Sequence, residues 1–228
     1  MAALRRALLC VAALVVTACS SGGSSGTSPE SLVSQAKATL DATSGLHFQL
    51  TSEGAPKKGT VLVGGSGDVA RPDGFQGKLQ VQTAGLMLSV DVISVGGTVW
   101  IRPPLTVKYS TADPHKYGFA DPGKLLDPQS GISSLLSRFT SITAAGHDRF
   151  RGEKLEEVDV TLPGSAVADV LTSADKTQPV HGGLGINPSN HQLRRAVLTG
   201  PFLRKDVQTT FTIVLDNYGE HPTISAPR

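Results

Sequence analysis

Cysteine is nearly missing from this chain, and so is any long apolar run. The only thiols are Cys10 and Cys19, both close to the amino terminus, so the rest of the polypeptide has neither a disulfide framework nor a cysteine metal cluster. The longest apolar stretch near the start, Leu8 to Val16, falls well short of the roughly 20 residues that a membrane-spanning helix needs. Aromatic residues make up only 5% of the sequence, so a core has to be filled by Val, Leu, Ala and Gly. No Gly-x-Ser-x-Gly elbow is present. The histidines, His47, His115, His147, His181, His191 and His221, are spaced too far apart for a metal-ligand pair. Asp148, Glu156, Glu157 and Asp159 are acids without a clear catalytic partner. An envelope hydrolase would need a nucleophile that these residues do not supply, and the chain reads as non-catalytic, with no metal and no dissociable cofactor.

What the amino terminus does contain is the layout of a lipoprotein export signal. Arg5 and Arg6 form a charged start, Leu8 to Val16 an apolar middle, and Val16-Thr17-Ala18-Cys19 a small-residue cleavage site that ends in a thiol. The expected division is residues 1–18 as signal peptide, 19–28 as lipidated cysteine plus Ser/Gly tether, and 29–228 as one folded domain. Cys19 would carry a thioether-linked diacylglycerol and an N-acyl chain. Two or more buried chains are enough for stable attachment, which puts the domain on the extracytoplasmic face of the cytoplasmic membrane, in the cell envelope. Full-length Lys+Arg is 21 against 19 Asp+Glu; removing Arg5 and Arg6 leaves 19 against 19. The slight basic balance thus belongs to the export signal, and nucleic-acid binding loses its electrostatic footprint. Asn187-Pro188-Ser189 is not a glycosylation acceptor, because proline occupies the middle position.

From Leu46 onward, period-two alternation dominates. Leu46, Phe48 and Leu50 share one parity; Val61 and Val63, with Val69, another run; Phe75, Leu79 and Val81 stand opposite Gln76, Lys78, Gln80 and Gln82. Leu86, Leu88, Val90 and Val92 follow, then Val99 and Ile101, later Val158, Val160 and Leu162, and finally Val207, Phe211, Ile213 and Leu215. With turn residues between them (Gly64-Gly65, Pro72-Asp73-Gly74, Gly96-Gly97, Asp216-Asn217), these runs predict about ten antiparallel strands with a single apolar face. Trp100, between Val99 and Ile101, is expected to face outward.

Helices are fewer. Ser28-Pro29-Glu30 is a cap followed by proline, Leu32, Val33, Ala36 and Leu40 form a stripe, and Gly45 is the expected stop. Asp121-Pro122 and Asp127-Pro128 repeat the cap-proline signal ahead of a helical face of Ile132, Leu135, Leu136 and Phe139. Ser165 is the expected cap of a third helix with Val167, Val170 and Leu171 inward. An open sheet with one apolar face has to be covered, and three helices with small fillers could leave a hollow. From pattern alone, a closely packed core is the commoner outcome.

In order and spacing these segments resemble the LppX/LprA/LprF/LprG family of mycobacterial and related actinobacterial lipoproteins, the LprG branch most. The resemblance is carried by the lipobox and tether, the proline-started helix, Gly67-Asp68-Val69 and Gly77-Lys78-Leu79, and above all Tyr117 to Leu136 with Asp121-Pro122, Leu125-Leu126-Asp127-Pro128, Gly131-Ile132 and Leu135-Leu136. Thr177-Gln178-Pro179-Val180, His191-Gln192-Leu193 and Tyr218-Gly219-Glu220 fit more loosely. The resemblance implies an α+β fold similar to the LolA/LolB carriers: a large curved antiparallel half-barrel with a few helices on its concave face, enclosing an apolar cavity for acyl chains. It further implies a carrier of acylated lipids or glycolipids between membrane and envelope, one branch of which works beside a major-facilitator exporter.

On that basis the expected cavity wall is Leu79, Val81, Leu88, Val90, Val92, Val99 and Ile101 from the strands, with Ile132, Leu135, Leu136 and Phe139 from the lid. Leu79 is the expected mouth position. The competing reading is an accessory or signalling subunit of a membrane transporter, without lipid cargo of its own.

Overall fold

The computed structural model describes residues 27–228 apart from Lys57. The expected signal peptide, Cys19 and most of the expected tether lie outside the described residues. Among the described residues no helix is long and apolar enough to cross a membrane.

The first element, helix α1 (Pro29–Ala42), starts where the sequence says it should. The Ser28 hydroxyl accepts a hydrogen bond from the Ser31 amide at 3.2 Å, and proline fills the first turn. Leu32, Val33, Ala36 and Leu40 are all buried along one stripe. The end differs from expectation. Thr43 leaves the helix in an extended conformation, and Gly45 opens the first strand instead of closing the helix. Glycine is required there by crowding, since a Cβ would sit 2.6 Å from the Glu220 carbonyl oxygen and 2.7 Å from that of Val69.

Among the described residues eleven strands follow in one sheet. They are β1 (Gly45–Glu53), β2 (Thr60–Ala70), β3 (Gly74–Thr83), β4 (Leu86–Val95), β5 (Thr98–Arg102), β6 (Ser110–Thr111), β7 (Ser141–Phe150), β8 (Glu153–Leu162), β9 (Val180–Ile186), β10 (Leu193–Arg204) and β11 (Val207–Asp216). Their order is β6-β5-β4-β3-β2-β1-β11-β10-β9-β8-β7, and every pairing is antiparallel. The chain therefore winds outward from β1 to one edge, crosses to the far edge, and returns inward until β11 meets β1. That central seam aligns Phe48 with Leu215 and Leu50 with Ile213, which places the four side chains on one face.

Strand β2 departs from simple alternation. Val61 and Val63 were expected to point inward with Val69. A bulge between Leu62 and Gly64 shifts the register, so the residue brought to the cavity is Leu62. Trp100, as expected, sits on the outer face: it is paired with Ile93 and half-buried.

The crossing segment, residues 112–140, forms a strap over the concave face. It is built from single turns: 3-10 turns at Pro114–Tyr117 and Pro122–Lys124, then α2 (Ile132–Leu135). Asp121 caps its turn by accepting from the Gly123 amide at 2.9 Å, and also accepts from the Ser94 hydroxyl of β4, which fastens the strap to the sheet. Asp127 does not cap a helix. Its carboxylate accepts from the Gln129 and Ser130 amides and the Ser130 hydroxyl, closing a tight turn, and these hydrogen bonds hold its pKa below the ordinary aspartate value. Gly131 takes the cap position of α2 instead. Helix α3 (Gly164–Ala168) is capped by Pro163 without a side-chain bond, so Ser165 is inside the helix and not its cap.

Because the folded-state pKa of Asp127 is lowered, its contribution is present above the usual aspartate range and lost as pH falls through the lowered value. Asp127→Ala is expected to cost about 1 kcal/mol at neutral pH, measured by urea melts, with the difference from the unmodified protein shrinking in acid.

Candidate functional site: an apolar cavity between sheet and strap

The strap does not fill the concave face. Between them lies a cavity of about 550 Å³, within the range of roughly 300–1,000 Å³ usual for small-molecule pockets. Its floor follows the seam: Phe48 and Leu50 from β1, with Phe211, Ile213 and Leu215 from β11. Phe75 and Leu79 of β3 extend it on one side, and Ala196, Leu198 and Phe202 of β10 on the other. Phe202 and Phe211 pack against each other with ring centroids 5.0 Å apart. The roof is Phe119, Leu125, Ile132, Leu135, Leu136 and Phe139 from the strap, continued by Val167, Val170 and Leu171 around α3.

Leu79 lies so flat because its neighbours have no side chains. Gly65 and Gly67 of β2 and Gly77 of β3 form a bare patch. A Cβ on Gly65 would meet the Leu79 Cδ2 at 2.7 Å, and one on Gly77 would meet the Ser66 carbonyl oxygen at 2.2 Å. Leu79 and Phe75 occupy the space those side chains would need, and Leu79 is only 5% exposed. It is thus a floor residue and not the rim position expected of it.

Five of the residues assigned to the wall from sequence, Leu79, Ile132, Leu135, Leu136 and Phe139, do border the cavity. Six do not: Val81, Leu88, Val90, Val92, Val99 and Ile101. They share the floor's face, since Leu79 aligns with Val90, Val81 with Leu88, Val92 with Ile101 and Ser94 with Val99. The strap, however, lands on that arm of the sheet. Gly123 packs so tightly there that a Cβ would fall 2.5 Å from the Asp73 carbonyl oxygen and 2.7 Å from the Ser94 hydroxyl. Val92 and Val99 are closed into packed core, and Val90 and Ile101 lie against it half-buried. The seam residues of β1 and β11 alternate as strands do, but they also form the cavity floor, and nothing in their local pattern shows that they become neighbours.

Polar groups reach the cavity at its margin: exposed His115, Lys124 and Ser130, with Asp121 and Asp169. Asp169 is paired with Arg138 at 2.6 Å. Away from the cavity, Arg194 holds Asp216 at 2.7 Å and donates to the Leu215 carbonyl at 2.7 Å, and Arg151 binds the other oxygen of the same carboxylate. The Arg194 Nε lies 3.2 Å from a Glu153 oxygen but is not aligned for a hydrogen bond, so that contact is a charge attraction. Tyr218 donates to the Leu193 carbonyl at 2.7 Å, and burial drives its phenol pKa well above the ordinary value. Among the described residues no group of His, Cys, Asp or Glu is arranged to hold a metal.

Comparison with known proteins agrees with this architecture. The lipoarabinomannan carrier protein LprG of Mycobacterium tuberculosis (strain ATCC 25618 / H37Rv) is 26% identical over 234 residues, covering 97% of this chain and 93% of its own. The crystal structure of LprF from Mycobacterium bovis superposes with a TM-score of 0.71 at 17% identity, over 89% of this chain and 99% of LprF. That of the Mycobacterium tuberculosis lipoprotein LppX gives 0.62 at 16% identity, over 86% and 97%. The family model described as LppX_LprAFG lipoprotein matches residues 28–223, and the chain, with its open antiparallel sheet strapped over an apolar hollow, belongs to that family.

Proposed function

We propose that this chain is a membrane-anchored envelope lipoprotein that takes the acyl chains of a lipid or glycolipid into its cavity and carries them between membrane and envelope. The observation that carries the reading is the apolar hollow itself, roofed by the strap and floored by the β1–β11 seam. A chain leaving a bilayer for water loses about 0.8 kcal/mol per methylene, and an aliphatic cavity offsets most of that loss without directional demands on the tail. The polar margin at His115, Lys124 and Ser130 would meet the headgroup. Membership of a lipoprotein family, together with a relative named as a lipoarabinomannan carrier, supports a carrier and not an enzyme. The apolar tails are the shared chemistry of any such cargo, so the wall selects for acyl chains and the margin for what is attached to them.

The test is native mass spectrometry of the protein purified from an actinobacterial host. Co-purified lipid that dissociates on activation is the expected result. A protein that is empty from that host, and stays empty when offered acylated glycolipid in detergent, would falsify the carrier reading. Cys19→Ala is expected to move the chain from the membrane fraction to the soluble fraction while leaving cargo binding intact. Retention of that variant in washed membranes would count against the anchor. Transfer of cargo onward to a major-facilitator exporter is part of the same proposal, and in-cell crosslinking that captures no transporter would remove it.

A further inference from the structure

Among the described residues, the four large apolar side chains that the fold leaves in water are all at one end of the sheet. Leu86 and Met87 are 64% and 62% exposed, and Leu105 and Val107 are 106% and 88% exposed. Leu86 and Met87 open β4 where the β3–β4 hairpin closes, at the Thr83–Leu86 pair. Leu105 and Val107 lie in the loop from β5 to β6, and the antiparallel Asp91–Arg102 register brings that loop to the same end, beside the β3–β4 tip. Isolated exposed apolar residues need no explanation, but four on adjacent tips form a patch.

Charge accompanies it. The tips at this end carry exposed Lys58, Lys108, Arg204 and Lys205 against Glu53, Asp206 and half-buried Asp175, which lies close enough to Lys205 for the two charges to attract, and none of these four cations forms a salt bridge among the described residues. Apolar tips ringed by free cations match an anionic bilayer surface, with the side chains entering the acyl boundary and the lysines meeting lipid phosphates. A second copy fits less well. A symmetric contact would set these cations against their own images, and β6, with two residues beyond the Pro103-Pro104 pair, offers no edge to extend. The length of chain outside the structure favours the same occupant. Nine residues separate Cys19 from Pro29, so even a fully extended tether reaches only about 35 Å, and the domain must stay close to the membrane that holds its anchor.

We propose that the hairpin tips bearing Leu86, Met87, Leu105 and Val107 are a second, non-covalent docking surface that seats the domain, tips down, on an anionic membrane. This rests on Cys19 being the anchor and adds an orientation that the anchor does not impose. Because the mature chain has no thiol besides Cys19, Leu105→Cys and, at the opposite end, His221→Cys each accept a single bimane label in the full lipidated protein. Each is reconstituted into phosphatidylcholine/phosphatidylglycerol vesicles with brominated acyl chains. The expected result is that the Leu105→Cys label loses most of its emission while the His221→Cys label keeps it, and that replacing phosphatidylglycerol by phosphatidylcholine weakens the loss. A protein that floats with the vesicles but shows no quenching at Leu105→Cys, or equal quenching at both sites, overturns docking and leaves the anchor standing. A Leu105→Cys label shielded from iodide yet unquenched by bromine, in particles of doubled mass, overturns it in favour of self-association. A protein that does not float overturns docking and anchor together.

Discussion

Leu79→Trp is expected to give a folded protein that no longer takes up lipid. Leu79 lies on the cavity floor, with Val90 of β4 on one side and Gly65 of β2 on the other. The bare Gly65, Gly67 and Gly77 patch lets the side chain lie flat, so the added indole has one direction to grow, into the hollow. Overpacking in a filled core costs roughly 1–3 kcal/mol, and a ring received by empty space costs less than that range suggests. The same ring takes the volume an acyl chain would need. Native mass spectrometry reads the loading and a thermal melt reads the fold. Full loading with an unchanged Tm would show that cargo does not sit over β3, and the cavity reading would fail. Should the ring disturb the glycine patch and unfold the protein, Ile213→Trp approaches the same volume from the seam and carries the same expectation.

Arg194→Ala is expected to do the reverse, lowering stability while sparing cargo. Arg194 and Asp216 are 11% and 13% exposed at their side chains and 2.7 Å apart. The arginine also holds the Leu215 carbonyl beside the seam. Removing it strands a nearly buried carboxylate with Arg151 as its remaining ion-pair partner among the described residues. Arg151 still compensates the charge, so the loss stays below the roughly 3–5 kcal/mol of a fully unpaired buried charge, at about 1–3 kcal/mol for the lost charged hydrogen bonds, a fall in Tm of roughly 2–12 °C for a domain of this size. None of the three charged side chains, Arg194, Asp216 and Arg151, borders the cavity, so lipid loading measured below the melt should match that of the unmodified protein. A Tm unchanged to within a degree would mean that solvent already screens the pair; lost loading in a folded variant would mean that seam geometry and cavity are coupled.

Much of the fold was legible in the residues themselves. Helix α1 was readable because its determinants are local: a hydroxyl cap, a proline in the first turn, and a stripe at helical spacing. The inward parity of β3, β4 and β5 was readable because those strands alternate without interruption. Where a bulge intervenes, as between Leu62 and Gly64, the same alternation points to the wrong residues. Strand β7 was not legible, since nearly all of its side chains are exposed and no apolar period marks it. The strap was half legible. Asp121-Pro122 does start a turn, but Asp127-Pro128 satisfies its aspartate within three residues and leaves α2 a single turn.

The sequence by itself determined an antiparallel sheet with one apolar face and a folded domain without cysteine, because each depends on residue type and short-range period. Only the tertiary structure decided which part of that face is hollow. An inward Val in a strand has the same pattern whether it meets a packed roof or an empty space. The difference arises from two distant pairings: β11 returning to β1, which centres the floor on Phe48, Leu50, Ile213 and Leu215, and Asp121 fastening to Ser94, which closes the strap down on Val92 and Val99 and leaves a hollow between strap and seam.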